Sequence, residues 1–171
     1  GILYLEGNEP RKAFQELIRA ANLDHNNLDA NLKAAELYLI SRDKEKSREL
    51  VERILEVEPD YHPGLALLAN LELIEGEFDK AEEAIGKIGE EIDSTPRYLN
   101  IKGRIHAEKD EFTQAEEAFE KAIDLDPGRF GNYQTLLMLY QSNNEQQKIE
   151  SLLGEMSEIF PQNPQVNLLL A

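Results

Sequence analysis

Apolar and polar residues follow one another along this chain with the 3.6-residue spacing of amphipathic helices. Each run lasts about a dozen residues, breaks, and resumes, a pattern that predicts paired antiparallel helices. The breaks fall at Gly7-Asn8, at Gly76 and at Asn143-Asn144. These residue types tolerate positive φ at a helix end. Prolines 59, 127 and 161 close second runs and lead into the next hairpin, because proline cannot continue a helix.

The hairpins repeat. Phe78-Asp79-Lys80-Ala81-Glu82-Glu83-Ala84-Ile85 matches Phe112-Thr113-Gln114-Ala115-Glu116-Glu117-Ala118-Phe119 at the aromatic, the alanines and the glutamates, 34 residues further on. The same period carries Gly1 to Ala35, Ala69 and Gly103, giving way to Leu137, and Ala13 to Ser47, Ala81 and Ala115, giving way to Ile149. Tyr4, Tyr38 and Tyr140 share one phase. Small residues facing each other let the two helices of a hairpin approach closely, so Leu137 and Ile149 predict a wider last pair. One hairpin cannot bury its apolar face alone, and stacked neighbours make a solenoid with a concave inner surface. Residues 28–61, 62–95, 96–129 and 130–163 are four full repeats, 1–27 the back of another, and 164–171 the start of a further one. Neither end offers a polar capping helix, so the expectation is a fragment of a longer array. Its ends would expose Leu168, Leu169 and Leu170 at one side and Ile2, Leu3 and Leu5 at the other, which predicts end-to-end self-association as a consequence of truncation. In repeat 62–95, Gly86 and Gly89 fall inside the expected second helix and cost about 1 kcal/mol each against Ala. Asp93 replaces the terminating proline there, so this hairpin is expected to be the least stable.

These residues resemble the tetratricopeptide repeat. The best match is 96–129, with Leu99, Gly103, Phe112, Ala115, Phe119, Ala122 and Pro127 in place. His106 stands where the family favours Tyr, and Lys102 where it favours Leu. The resemblance implies an all-α, right-handed superhelical solenoid of antiparallel helix pairs, without strands, that binds a protein or peptide. It also implies a groove on the inner face of the first helices. That face carries Ile2 and Leu5, then Leu32, Leu39 and Ile40, then Leu67, Asn70 and Leu73. Arg97, Asn100 and Arg104 follow in the third full repeat, and Gln134, Met138 and Gln141 in the fourth. Two arginines inside the groove of so acidic a chain point either to an acidic group on the ligand or to local balance of Glu72 and Glu108. The carboxylate clamp of some family members needs Lys, Asn, Asn, Lys and Arg where this chain has Leu32, Glu36, Leu67, Arg97 and Ile101, and only one position fits.

Charge narrows the partners. The 171 residues hold 34 acids against 18 bases, a net charge of −16, the wrong sign for neutralising phosphates or anionic membranes. Hydrophobic residues at 41% and charged residues at 30% suit a folded, helix-rich protein. No uninterrupted apolar stretch comes near the roughly 20 residues of a membrane span. Cysteine is absent, removing disulfides, thiolate chemistry and Cys-based zinc sites.

Other chemistry is thin. His25, His62 and His106 occupy different repeat positions without ligand spacing, and His106 in a Tyr slot reads as a packing residue. Gly86-Lys87-Ile88-Gly89 lies among acids in an expected helix, unlike an RNA-clamping loop. Asp124-Leu125-Asp126-Pro127-Gly128 lacks the remaining ligands of a calcium loop. Glu82-Glu83, Glu116-Glu117 and Glu120 read as a solvated outer face, with docking of a basic partner as the other use. No cofactor or metal is implied, and nothing calls for an enzyme. The expected function is a non-catalytic protein-protein interaction scaffold that binds a peptide or protein segment in its groove. The alternative is a regulatory or oligomerising arm of a larger protein, an enzyme included. Acidic arrays of this family in bacterial secretion, pilus and exopolysaccharide systems point to the bacterial cell envelope, with the cytoplasm equally open.

Overall fold

The computed structural model describes residues 10–24, 26–89 and 95–170. They form ten α-helices, and among the described residues there is no strand. The expected all-α fold holds. The helices are α1 (Pro10–Leu23), α2 (Leu28–Ile40), α3 (Lys44–Val57), α4 (His62–Glu75), α5 (Phe78–Gly86), α6 (Pro96–Glu108), α7 (Phe112–Leu125), α8 (Phe130–Ser142), α9 (Gln146–Ile159) and α10 (Pro164–Leu169). First helices open at Leu28, His62, Pro96, Phe130 and Pro164, and second helices at Lys44, Phe78, Phe112 and Gln146, each series keeping the 34-residue step. The groove positions Ile2 and Leu5, the Gly7-Asn8 break, His25 and Asp93 lie outside the described residues.

The chain divides into two compact units, Gly1–Ile88 and Gly89–Ala171. The core of the first packs Ala34, Ala35, Val51, Ile54 and Leu71 from α2, α3 and α4. The core of the second packs Phe119, Tyr133, Leu136, Met156 and Val166 from α7 to α10. Both are built on the apolar stripes that the 3.6-residue spacing marks.

Between the helices of each hairpin one residue turns left-handed. Arg42 (φ 64°), Gly76 (79°), Asp110 (60°) and Asn144 (57°) hold the same repeat position. The sequence marks this turn at Gly76 and Asn144; Arg42 and Asp110 adopt it too. An L-residue there costs roughly 1–2 kcal/mol, and the packing of the flanking helices outweighs that cost.

The small-residue pairs do bring helices together. Ser47 Oγ donates 2.9 Å to the Ala35 carbonyl across the α2–α3 hairpin, and Ala69, Ala81 and Ala115 have no exposed surface. The α8–α9 hairpin, built on Leu137 and Ile149, makes markedly fewer close backbone approaches than the α6–α7 hairpin. The expectation of glycines inside the second helix of repeat 62–95 needs correction. α5 is nine residues long against fourteen for α7; Gly86 is its last residue, and Gly89 lies beyond it. The helix stops rather than carry both glycines, consistent with their poor helix propensity.

Helices of successive repeats are joined by a polar latch at one register. In the first unit, Arg48 on α3 reaches Glu72 (2.8 Å) and Glu75 (2.9 Å) on α4. In the second, Glu116 on α7 accepts from the Tyr140 hydroxyl on α8 (2.7 Å) and pairs with Lys148 on α9. Glu72 and Tyr140 share a slot, as do Arg48 and Glu116, so the same contact is made with exchanged chemistry. Glu72, offered by the sequence as a charge for the groove arginines, is thus engaged by Arg48.

Candidate functional site

The second unit carries a cleft between its first helices. α6 starts at Pro96, whose locked φ suits the first helical turn. One face of α6 presents Gly103, and a Cβ there would lie 2.4, 2.7 and 2.9 Å from atoms of the Phe119 ring. The missing side chain is therefore what lets Phe119 pack against α6, only 2% exposed. That ring floors the cleft. Arg104, Ala107 and Glu108 of α6 form one wall, and Thr135, Met138, Leu139 and Ser142 of α8 the other, around a volume of about 270 Å³.

The walls are chemically mixed. Met138 is 67% exposed, a flexible thioether suited to covering varied apolar groups. Burial lowers the Arg104 pKa from its ordinary value, and Glu108 one turn on opposes that shift. The guanidinium stays charged, and a carboxylate arriving at the cleft would gain from the reduced local dielectric. Thr135 is held by its hydroxyl, 2.8 Å from Asn100 Oδ1 and 2.7 Å from the Asn132 carbonyl. Asn100 in turn donates to Pro96 O (2.7 Å) and to Asn132 Oδ1 (2.9 Å). Buried Asn132 donates to the Ala122 and Asp126 carbonyls at the end of α7. A polar network thus ties α6, α7 and α8 behind the α8 wall.

Of the groove residues expected from sequence, the structure brings Arg104 and Met138 into this cleft. Asn100 supports its wall. Arg97, half-buried two turns earlier on α6, lies outside it. Gln141 is exposed, and Gln134 reaches Gln165 of α10 at 3.3 Å. In the first unit Leu32, Leu67 and Leu73 are core residues, at 6, 3 and 7% exposure. Their apolar surface is spent on packing. Leu39 is half-buried, Asn70 donates to the Ala66 carbonyl one turn back (3.1 Å), and Ile40 is exposed. Ala107, Glu108, Phe119, Thr135, Leu139 and Ser142 line the cleft outside the expected groove set. The spacing of Thr135, Met138, Leu139 and Ser142 is one helix face, and a groove register moved by one residue along α8 selects it.

Among the described residues no group of acids and histidines could hold a metal. His106 Nδ1 meets Glu111 Oε2 at 2.6 Å, a contact within its own hairpin.

The class now follows. Residues 96–129 match the family model of the tetratricopeptide repeat. No curated protein matches the chain. Among solved structures, TTC0263, a thermophilic TPR protein of Thermus thermophilus, superposes with a TM-score of 0.83 at 16% identity, covering 97% of this chain and 90% of its own. Pseudomonas aeruginosa PilF gives 0.71 at 17% identity, over 98% of this chain and 77% of PilF. MamA from Desulfovibrio magneticus RS-1 gives 0.70 at 15% identity, over 94% and 91%. Residues 96–129 thus match the tetratricopeptide repeat in sequence, and the all-α helix pairs of the chain share the fold of these solved repeat proteins.

Proposed function

We propose that this chain is a non-catalytic protein-interaction scaffold that holds a peptide segment on the first helices of its second unit. An apolar side chain of that segment rests on Phe119 beside Met138, and an acidic group meets Arg104. The observation that carries this is the cleft itself, which sets a half-buried cation beside an apolar floor between α6 and α8. Such a site recognises a peptide by one apolar anchor and one charge.

The test is a peptide library selected on the whole chain, with winners re-measured on the Arg104→Ala variant. A charge-assisted hydrogen bond is worth roughly 1.5–3 kcal/mol, so binding should weaken by about tenfold or more and lose much of its salt dependence. Winners without an acidic residue, or an unchanged affinity, would remove Arg104 from the site.

A further inference from the structure

The α6 wall of the Arg104 cleft carries two charges of opposite sign. Arg104 is half-buried, Glu108 is exposed as the last residue of α6, and both line the cleft. Four residues apart, they stand one helical turn from each other on one face, with roughly 6 Å between Cβ atoms. Burial lowers the Arg104 pKa and Glu108 opposes that fall, so the guanidinium lies in the field of the carboxylate. The other described side chains of the lining, Ala107, Phe119, Thr135, Met138, Leu139 and Ser142, are uncharged.

The pair is not repeated elsewhere in the array. At the same two positions the other full repeats hold Glu36 and Ile40, Asn70 and Ile74, and Met138 and Ser142. The place of Glu108 is open to solvent in those helices too, with Ile40 at 78% and Ile74 at 47% exposure. Packing therefore makes no demand for a carboxylate there. An exposed ion pair within one helix also adds little to stability, so Glu108 can exchange it for a ligand at small cost.

We infer that Glu108 is the specificity residue of this cleft, selecting a peptide in which the acidic side chain that meets Arg104 is accompanied, two residues away, by a basic one. The inference rests on the reading of this cleft as a peptide site. In an extended segment alternate side chains point the same way, about 6.6 Å apart, which matches the one-turn separation of the two charges. The residue between them points to the opposite wall, where Met138 and Leu139 offer apolar surface. A second acid in place of the basic residue would face Glu108, at a separation where like charges repel.

The experiment titrates the whole chain with three acetylated, amidated tripeptides, Glu-Leu-Lys, Glu-Leu-Gln and Glu-Leu-Glu, read by NMR at the methyl groups of Thr135, Met138 and Leu139. An ionic strength of about 0.15 M largely screens charges more than about 8 Å away. Glu-Leu-Lys should bind about twofold to fivefold more tightly than Glu-Leu-Gln, the size of one pairing with an exposed charge, and Glu-Leu-Glu most weakly. Glu108→Gln should bring the three close together, and Glu108→Lys should invert the order. Both changes fall at an exposed helix end, where lysine suits the helix dipole, and circular dichroism should show both variants folded as the parent is. Arg104→Ala should weaken all three peptides about tenfold or more. If Arg104→Ala weakens binding but the order of the peptides is the same in Glu108→Gln and Glu108→Lys, the proposal is overturned and the peptide site stands. If no tripeptide shifts the cleft methyls, or Arg104→Ala leaves the affinities unchanged, the peptide site fails and the proposal with it.

Discussion

Adding a single methyl group at Gly103 should damage this protein, although alanine is the better helix former. Gly103 lies inside α6, where replacing Gly by Ala ordinarily gains about 1 kcal/mol. Here the new Cβ would stand 2.4 Å from Phe119 Cε1, with two further ring atoms inside 3.0 Å. Van der Waals contact needs more than a further ångström, and Phe119 is 2% exposed in a packed core. Forcing a methyl into such a core costs typically 1–3 kcal/mol, and at 2.4 Å the upper end applies, so the net loss for Gly103→Ala should be up to about 2 kcal/mol. Gly154 supplies the contrast. It lies inside α9, is exposed, and a Cβ placed on it would have nothing within 4 Å, so Gly154→Ala should gain up to about 1 kcal/mol. Urea unfolding followed by circular dichroism, with amide exchange to localise the effect, reads both. In a Phe119→Leu background the Gly103→Ala penalty should shrink or change sign, because the two sites are in contact. A Gly103→Ala protein as stable as the parent, or an unchanged penalty in that background, would refute the close-packing account.

Arg42 holds φ 64° at an exposed turn, so Arg42→Gly should stabilise the first unit by about 0.5 kcal/mol, relief of the left-handed strain being partly offset by glycine's unfolded-state freedom. Arg42→Ala, measured by the same melts, should bring no gain. Arg48→Glu sets a carboxylate against Glu72, whose side chain is 8% exposed, and against Glu75, and should cost about 2–3 kcal/mol. The double variant Arg48→Glu/Glu72→Tyr rebuilds the pairing of Glu116 with Tyr140 and should recover a good part of that loss in urea melts. A double variant no better than the single one would show that the two latches are not equivalent.

Much of the fold is legible because a repeat writes its own register many times over. The apolar spacing, the small residues at Ala35, Ala69 and Gly103, and the prolines at 59, 127 and 161 each recur in phase. A helix pair that must bury one face against identical neighbours leaves few other arrangements. The site is legible only in part. Arg104 and Met138 stand out because an arginine in an acidic chain and a methionine on a groove face are conspicuous. Leu32, Leu67 and Leu73 fit a groove by their spacing and stand in the core, since a leucine looks the same in sequence whether its neighbour is solvent or another helix.

What the sequence determined by itself is therefore periodic and local: which segments are helical, how long a hairpin is, where glycine or asparagine can turn the chain. What only the tertiary structure decided depends on distances between residues far apart in the chain. It put left-handed backbone on Arg42 and Asp110, which the sequence pattern does not mark for it. It ended α5 at Gly86. It set Glu116 against Tyr140 and Lys148 where the first unit sets Arg48 against Glu72 and Glu75. Such contacts are decided by a few ångströms between helices, and hydrophobic spacing along a chain carries no information about them.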